Sequence, residues 1–231
     1  MLLKLDIAKA FDSVSWPFLL ELLQHIGFPR RWTGWISLLL STSSTKIIMN
    51  GRPGNRITHA RGLRQGDPIS PMLFVIVMES LNSLFKEADR RGALSPVPGR
   101  VACNRASLYA DDVVLLVAPT QTDLACVQQV MLLFAGASGL ITNINKCVVS
   151  PISCSEDQVA IVQQVFPCTL TPFPCKYLGI PLSLRKLRRC EEQVLVAQSS
   201  GKNSYMEIRS PQSCRQDCPC QSDFICNPCP H

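Results

Sequence analysis

The segment Ser107–Val117, with the sequence SLYADDVVLLV, places two adjacent acids between two short apolar runs. Short apolar runs on either side of a polar pair are typical of two buried β-strands joined by a turn. The carboxylates of Asp111 and Asp112 repel each other and resist burial. Such a pair is tolerated if a divalent cation offsets its charge. The alternative is an ordinary Asp-rich turn that binds nothing.

A third acid occupies a similar setting near the start of the chain. Leu2 to Ile7 is a short apolar run, which predicts a buried strand that carries Asp6 at its C-terminal end. Carboxylate oxygens are ligands that Mg²⁺ prefers, and two such ions about 3.5–4 Å apart can activate a hydroxyl and stabilise a leaving oxygen. Asp6, Asp111 and Asp112 are therefore candidate ligands of a two-metal site.

Between and after these segments, helix and strand patterns alternate irregularly. Ser15 is a candidate N-cap for the first helix, and Asn50-Gly51 is a candidate hairpin turn. Helices are predicted at 18–27, 31–40, 68–88, 123–137 and 156–166, and strands at 44–57, 107–117, 146–150 and 175–182. This order favours an α+β domain over a doubly wound parallel sheet.

The composition excludes several classes of protein. Of 231 residues, 46% are hydrophobic and 17% are charged, which excludes a wholly disordered chain. The longest uncharged apolar run, 72–78, is far shorter than the roughly 20 residues that a membrane span requires. The N-terminal segment reaches an acid at Asp6 and lacks the apolar stretch of a signal peptide. We therefore expect a soluble, intracellular chain with no membrane partner.

Basic residues are concentrated in one stretch, although the formal net charge is only +6. The segment from Arg30 to Arg64 contains no acid and seven basic residues, which are Arg30, Arg31, Lys46, Arg52, Arg56, Arg61 and Arg64. A basic stretch beside clustered carboxylates suits a polyanion held near a metal site. A solvated basic face without a partner is the alternative.

Five sequence blocks follow one another along most of the chain. They are KLDIAKAFDSV (4–14), GLRQGDPISPMLF (62–74), YADD (109–112), SGLITNINKC (138–147) and YLGIPLS (177–183). These blocks resemble the palm signatures of reverse transcriptases, specifically those of non-LTR (LINE-type) retrotransposons, over about residues 2–189. The resemblance implies an α+β polymerase palm, in which an antiparallel sheet carries the three aspartates at one edge and helices pack on its other face. The implied reaction is RNA-directed DNA synthesis.

The resemblance implies roles for the acids and their neighbours. Asp6 and Asp111 match the metal-binding aspartates, with Asp112 adjacent in the same site, and the implied cofactor is two Mg²⁺ ions, for which Mn²⁺ can substitute. Ile7 would offer its backbone carbonyl near the metal. Phe11 resembles the aromatic gate that excludes a 2′-hydroxyl and so favours deoxynucleotides. An ordinary core aromatic is the alternative at that position.

The remaining matches concern the implied partners, which are an RNA template, a DNA primer and deoxynucleoside triphosphates. Gln65 and Gly66 match the loop that packs against the incoming nucleotide and the template base, where glycine permits close backbone approach. Lys146 matches a lysine near the outgoing pyrophosphate, and a plain surface lysine is its alternative. Tyr109 resembles the residue that supports the primer end. The hairpin that resembles the primer grip contributes Tyr177, Leu178 and Gly179.

The resemblance also suggests how the chain is divided. Residues 1–183 would form the palm domain and residues 184–196 the start of a thumb-like segment, while residues 197–231 are an unrelated Cys/Pro/Ser-rich tail that we expect to be disordered. In the family, the fingers segments lie upstream of the block that contains Asp6. We therefore expect the fingers to be largely missing and the thumb to be incomplete. The chain would be nuclear if it follows the family.

These departures leave two alternatives to an active polymerase. One is a catalytically inert retroelement remnant, and the other is a non-catalytic RNA-binding module that uses the basic stretch 30–64. The twelve cysteines are also unevenly placed, with six of them in the last 42 residues. Their irregular spacing contains one C-x2-C pair at 226–229, which leaves open a zinc site or chance composition. The other six are expected to be small buried hydrophobic residues.

Overall fold

The computed structural model describes residues 1–96 and 105–184. The chain divides into two compact units, Met1–Leu182 and Ser183–His231, and all described helices and strands lie in the first. Apart from Leu184, the predicted thumb-like segment 184–196 lies outside the described residues, and so does the whole predicted tail, 197–231. The domain boundaries therefore stay a prediction. In the described ranges, every helix is too short or too polar to cross a bilayer.

The described part of the chain contains nine β-strands and six α-helices. In chain order they are β1 (Leu2–Asp6), α1 (Ala10–Ser13), α2 (Trp16–His25), α3 (Arg30–Ser41), β2 (Ser44–Met49), β3 (Arg52–Thr58), α4 (Ser70–Arg90), β4 (Ala106–Tyr109), β5 (Asp112–Leu116), α5 (Gln121–Ser138), β6 (Val148–Ser150), α6 (Glu156–Val165), β7 (Thr169–Leu170), β8 (Cys175–Tyr177) and β9 (Ile180–Leu182). Every segment predicted as a helix overlaps an observed helix, with bounds that differ by up to two residues, and every segment predicted as a strand contains at least one strand.

The differences from the predicted elements are local. The sequence did not predict α1 or β7, because segments of four and two residues are too short to show a period. A 3₁₀ turn, Ile144–Lys146, occupies the position where the sixth strand was expected to begin. The strand β6 therefore starts two residues later than predicted, at Val148.

A five-stranded sheet with the order β4–β5–β1–β6–β7 forms the centre of the first unit. Strand β1 lies between β5 and β6 and pairs antiparallel with both, while β4 and β5 form a hairpin. The expected antiparallel sheet is therefore confirmed for four strands. Strand β7 is the exception, since it pairs parallel with β6. The chain reaches β7 through α6, which is the kind of crossover that a parallel pair requires.

One face of this sheet packs against the helices. Leu3 and Leu5 of β1 and Val113 and Leu115 of β5 are completely buried. Helices α4 and α5 contribute large side chains to the same core, including Phe74, Phe85 and Phe134. Burial of each such side chain stabilises the fold by about 1.5–3 kcal/mol. Because side chains alternate between the faces of a strand, the intervening residues of β1 and β5 lie on the opposite face.

The strands β2 and β3 form a separate two-stranded sheet. Its turn is the predicted one, with positive φ at Asn50 (50°) and Gly51 (76°), as a type I′ turn requires. Every residue of β3 is exposed, and so is β2 from Thr45 onwards. Lys46 and Arg56 occupy paired positions and so share one face of the hairpin. The seven basic residues of the stretch 30–64 are all exposed, so this region offers a basic surface.

Two glycines bring distant parts of the chain against the last residues of α1 and the turn that follows it. A Cβ on Gly62 would lie 2.6 Å from the carbonyl oxygen of Asp12, and a Cβ on Gly139 would lie 2.5 Å from that of Ser13. The Gly62 amide donates to the Val14 carbonyl at 2.8 Å, and the Trp16 indole donates to the Gly62 carbonyl at 2.7 Å. Both glycines also have positive φ. Only glycine satisfies the close approach and the backbone conformation together.

This packing predicts that Gly62→Ala destabilises the chain more than Gly66→Ala. Both glycines have nearly the same φ, 88° and 87°, but the added Cβ at position 66 meets no atom within 4 Å. We expect a loss of about 1–2 kcal/mol for Gly66→Ala from the backbone alone, and of about 2–5 kcal/mol for Gly62→Ala, where overpacking is added. Urea denaturation measures both losses, and equal values would contradict the close packing at Gly62.

Candidate active site

The pairing of β1 with β5 sets two acids side by side. Asp6 is directly opposite Asp112 in the antiparallel register. Directly opposed residues point to the same face of a sheet, so both carboxylates lie on the face opposite the helix-packed core. The predicted hairpin of the segment 107–117 is thus confirmed, and it is this hairpin that delivers Asp112 to β1.

Lys4 lies on the same face and neutralises one of these acids. Its ammonium donates to Oδ1 of Asp112 at 3.0 Å, and the two side chains are 30% and 33% exposed. Asp6 is half-buried, and its backbone carbonyl accepts a hydrogen bond from the Asn143 amide at 2.8 Å. Sequence reasoning did not single out Lys4. The sequence did contain a signal for this contact, because Lys4 lies two residues before Asp6 on the predicted strand and so on the same face as Asp6.

The third acid lies apart from this pair. Asp111 is exposed and belongs to the β4–β5 turn, where Ala110 has a φ of 52°. In the part of the chain that the structure describes, no three His, Cys, Asp or Glu side chains gather into a group that could hold a metal ion. The structure therefore brings Asp6 and Asp112 together and leaves Asp111 in the adjoining turn.

The donor set nevertheless suits a hard divalent cation. The three candidate ligands are all carboxylates at one end of the sheet, which is the oxygen chemistry that Mg²⁺ and Mn²⁺ prefer. Within residues 1–96 and 105–184, neither Asp6 nor Asp111 has an ion-pair partner. The chemistry of these residues thus fits the implied metal, with Asp6 and Asp111 as the uncompensated charges.

The segment that follows Asp6 is held by the loop before β6. Ile7 is buried and forms an isolated antiparallel bridge with Thr142, and the Ala8 amide donates to the Ile141 carbonyl at 2.8 Å. Lys146 is exposed at the end of the 3₁₀ turn. The backbone of this turn is therefore tied to the C-terminal end of β1, next to Asp6. The roles predicted for Ile7 and Lys146 stay predictions.

Cys147, which follows Lys146, is an ordinary buried residue. Its thiol donates to the Asn143 carbonyl at 3.2 Å. Burial raises the pKa of the Cys147 thiol, and it does the same for Cys168 on the neighbouring chain segment. Both side chains therefore remain protonated near neutral pH and pack as small apolar groups. At Cys147 and Cys168, the prediction that the cysteines before residue 183 are small buried hydrophobic residues is therefore confirmed.

Phe11 lies at the boundary between the hydrophobic core and the solvent-exposed surface. Its ring stacks on Phe74 of α4, with centroids 4.5 Å apart and an angle of 17° between the planes. The Phe11 side chain is only half-buried, whereas Phe74 is almost completely buried. The Leu63 amide donates to the Phe11 carbonyl at 2.6 Å. The ring is thus held firmly from one side and keeps exposed surface on the other.

The predicted nucleotide loop, Gln65 and Gly66, is exposed just beyond this contact. Gly66 has a φ of 87°, and a Cβ there would meet no protein atom within 4 Å. Gln65 lines a cleft of about 410 Å³ between the loop 61–65 and the start of the β2–β3 hairpin. The cleft also contains His59, whose Nε2 lies 2.6 Å from the Thr45 hydroxyl, together with Asp12, Arg61 and Arg64. Sequence reasoning did not identify this cleft, because its walls come from separate segments.

The predicted primer-grip hairpin contacts the strand that leads to the acidic turn. Strands β8 and β9 form this hairpin, and Leu178 and Gly179 have positive φ in its turn. The Tyr177 hydroxyl lies 3.4 Å from the Ser107 hydroxyl of β4. Cys175 packs with Leu2 and Val114, which lie on the same sheet face as the acids. Tyr109, two residues after Ser107, is 64% exposed.

Comparison with known proteins identifies relatives for most of this region. Residues 1–182 match a family described as "Reverse transcriptase (RNA-dependent DNA polymerase)". A "Retrovirus-related Pol polyprotein from type-1 retrotransposable element R2" of Popillia japonica is 37% identical over 113 residues, which is 48% of this chain and 18% of the relative. The corresponding type-2 protein, R2DM, of Drosophila melanogaster is 30% identical over 197 residues, which is 80% of this chain and 18% of the relative. The "Transposon TX1 uncharacterized 149 kDa protein" of Xenopus laevis is 31% identical over 144 residues, which is 62% of this chain and 11% of the relative.

A solved structure resembles the fold. The apo telomerase of Candida tropicalis, truncated from its C-terminal domain, matches with a TM-score of 0.51 and 14% identity, over 67% of this chain and 31% of that one. At this identity the likeness concerns the fold alone, and it agrees with the predicted palm. The chain spans 18% of the length of the Popillia and Drosophila relatives, so it corresponds to a limited part of each.

The stack of Phe11 on Phe74 predicts an energetic coupling between the two residues. In a double-mutant cycle with Phe11→Leu and Phe74→Leu, we expect a coupling of about 0.5–1.5 kcal/mol, the usual contribution of an aromatic pair beyond its burial. Urea denaturation of the parent, the two single variants and the double variant measures it. The control cycle combines Phe11→Leu with Phe85→Leu instead of Phe74→Leu. Phe85 is buried on the same helix but does not stack on Phe11. Additive losses in both cycles would contradict the stack.

Proposed function

The chain belongs to the reverse transcriptases of non-LTR retrotransposons, and on that premise we propose that it carries the active site of an RNA-directed DNA polymerase. One observation carries the proposal. The β1–β5 register sets Asp6 opposite Asp112 on the sheet face away from the core, with Asp111 in the adjoining turn. Carboxylates at this position have no role in packing, and Lys4 compensates only one of the two like charges that lie side by side, so the charge of Asp6 is left without a counter-charge in the described part of the chain.

In this proposal Asp6 and Asp111 hold two divalent cations, with Asp112 adjacent to them. When bound, the cations would lower the pKa of the primer 3′-hydroxyl and stabilise charge on the transferred phosphoryl group and the leaving oxygen. The main task of the protein is to position the two reactants, since alignment of a hydroxyl with a phosphate accounts for much of such catalysis. In the proposal the Ile7 carbonyl and the Lys146 ammonium act near this reaction, which is supported by the backbone contacts that tie residues 142 and 143 to the end of β1.

The surrounding residues would select and hold the substrates. Phe11, supported by Phe74, presents its ring to the sugar of the incoming deoxynucleotide and excludes a 2′-hydroxyl. The loop of Gln65 and Gly66 lies next to it, and the absence of a side chain at Gly66 leaves room for a base or sugar. Tyr109 and the hairpin residues Tyr177, Leu178 and Gly179 would hold the DNA primer, since they share the acidic face of the sheet.

A second candidate function is RNA binding without catalysis. The observation that favours it is the exposed hairpin β2–β3, whose basic residues are open to solvent, as are those of α3 and of the loop before Gln65. Phosphate contacts from such residues give an affinity that falls steeply with salt concentration. In the polymerase proposal the same residues hold the template, so the two functions differ only in whether synthesis occurs.

The polymerase proposal predicts that Asp111→Ala abolishes primer extension on a homopolymer RNA template with Mg²⁺ or Mn²⁺. Loss of a ligand that contributes several kcal/mol corresponds to a rate reduced by about 100-fold or more. Because the change removes one of two adjacent like charges, we expect stability to stay the same or to increase. Full activity of Asp111→Ala would be incompatible with the proposed site.

The matched control is Asp157→Ala, which removes an exposed carboxylate from the first turn of α6, away from the sheet face. It should extend primers as the parent chain does. If the folded parent chain extends no primer, the polymerase proposal fails for this chain and an inert retroelement remnant is the better description. If it extends none but binds RNA in a salt-dependent manner that survives Asp111→Ala, the RNA-binding function is supported.

The gate assignment predicts that Phe11→Ala incorporates ribonucleotides more readily. The smaller side chain leaves room for the 2′-hydroxyl, so the ratio of deoxynucleotide to ribonucleotide incorporation should fall by about 10-fold or more, equivalent to the loss of a clash of one to two kcal/mol. Single-nucleotide extension with each triphosphate measures the ratio. Phe18→Ala is the control, because Phe18 also packs half-buried against the core but lies outside the proposed site. An unchanged ratio in Phe11→Ala would exclude the gate.

A further inference from the structure

The cleft beside Gln65 combines one histidine with two arginines that have no acidic partner. Its volume is about 410 Å³, and its lining includes His59, Arg61 and Arg64, all of which are exposed. Within residues 1–96 and 105–184, neither arginine forms an ion pair. Asp12 is the one acid among the described lining residues. Two arginines and one aspartate give the cleft a net charge of +1, and a proton on His59 raises it to +2.

Backbone contacts fix both walls of this cleft. The His59 amide donates to the Ser43 carbonyl at 3.1 Å, which continues the β2–β3 ladder beyond the pair of Ser44 and Thr58. On the other wall, the Gly62 amide donates to the Val14 carbonyl at 2.8 Å. The cleft is therefore built into the fold and does not depend on a ligand for its shape.

Strand alternation puts His59 and Thr45 on one face of the hairpin and Lys46 on the other. Thr45 pairs with Ile57 and Lys46 pairs with Arg56, so these two neighbouring pairs point to opposite faces. His59 follows Ile57 by two residues and shares the Thr45 face, where its Nε2 lies 2.6 Å from the Thr45 hydroxyl oxygen. The two basic residues of the other face do not line the cleft.

Protonation of His59 changes what the cleft offers to an anion. An imidazolium donates from both of its ring nitrogens. Its Nε2–H then donates to the Thr45 oxygen, so the Thr45 hydroxyl proton and the Nδ1–H are both free to bind a ligand. In the part of the chain that the structure describes, Nδ1 has no other partner. A phosphodiester oxygen accepts hydrogen bonds and is negatively charged, so it suits these donors and the two guanidinium groups.

We propose that the cleft binds a phosphodiester group of a single-stranded RNA template, through Arg61 and Arg64 and, when it is protonated, through His59. The inference rests on the proposed function, because the cleft reaches Gln65, in the loop that would pack against the template base. The affinity for RNA then rises as the pH falls, since a histidine side chain gains its positive charge between about pH 8 and pH 5. The Asp12 carboxylate opposes the phosphate, which makes the additional charge of His59 count for more.

The experiment measures binding of a fluorescently labelled oligouridylate to the full 231-residue chain by fluorescence anisotropy. EDTA is present, so that the acidic site contributes no cation. The salt concentration is varied at about pH 5.5 and at about pH 7.5, on either side of the usual titration of histidine. The logarithm of the association constant falls with the logarithm of the salt concentration by about 0.7 for each phosphate contacted on a single strand. We expect this slope to be steeper by about 0.7 at the lower pH, with an affinity about fivefold higher in 0.1 M salt.

Variants assign this difference to the cleft. His59→Gln should lose it, because glutamine is neutral at both pH values. The matched control is His25→Gln, which removes an exposed histidine from the end of α2 and should keep the difference. His59→Lys, which is charged at both pH values, should bind at the higher pH as the parent chain binds at the lower one. Arg61→Gln and Arg64→Gln should each reduce the slope by about 0.7 at both pH values.

The cleft is overturned if His59→Gln keeps the difference between the two pH values, or if Lys46→Gln, on the other face of the hairpin, removes it. It is also overturned if the folded parent chain binds no RNA, or if an equal concentration of a deoxynucleoside triphosphate displaces the RNA. In each of these cases the polymerase proposal stands as long as the parent chain extends primers and Asp111→Ala does not. If His59→Gln loses the difference and the parent chain extends no primer, the cleft stands and the polymerase proposal fails.

Discussion

The register between β1 and β5 is the constraint on which the rest of the structure depends. It places Leu3 and Leu5 opposite Leu115 and Val113, toward the helices, and thereby directs Asp6 and Asp112 to the other face. A slip of β1 by one residue would turn Asp6 into the core and expose Leu3 and Leu5, which is very unfavourable. The burial of the apolar face therefore specifies the position of the acids. An acid pair that is unfavourable by itself is imposed by the packing of its neighbours.

A second contact organises the loops around this pair. The end of α1 and the turn after it, residues 12–15, contact both Gly62 and Gly139, at backbone distances that exclude a side chain. Gly62 leads into the loop of Gln65, and Gly139 leads into the segment that pairs with Ile7. Through these two glycines the blocks that are far apart in sequence meet beside Phe11. Their conformations are set by backbone contacts, so surface changes nearby should leave the arrangement intact.

The sheet face that carries the acids has an apolar part and a charged part. Toward the start of β1 it is apolar, where Leu2 and Val114 pack against the β8–β9 hairpin, and toward the end of β1 it is charged. The hydroxyl contact between Tyr177 and Ser107 joins the two regions. The hairpin is thus held by burial of its own apolar side chains and leaves the charged end open. On the proposed function, this division separates the place where a primer would be held from the place where it would react.

Most of the elements could be predicted from local patterns, because helices of ten or more residues and alternating strands have periods that a sequence displays. The turn at Asn50-Gly51 and the cap at Ser15 are also local, since each depends on a few neighbouring residues. The helix α1, with four residues, and the strand β7, with two, are too short to show a period and were not predicted. The parallel pairing of β7 was not predicted either, because it joins segments that are separated by a helix.

The sequence by itself determined which residues are chemically unusual: three acids in apolar surroundings and a run of basic residues without acids. Its ordered blocks also indicated the family. Only the tertiary structure decided how these residues are related. In the structure Asp6 lies opposite Asp112, Asp111 lies in the turn, and Lys4 forms an ion pair with Asp112. These relations depend on strand register and on the distance between strands, which are properties of two segments more than one hundred residues apart. Composition and spacing along one chain contain no measure of that distance.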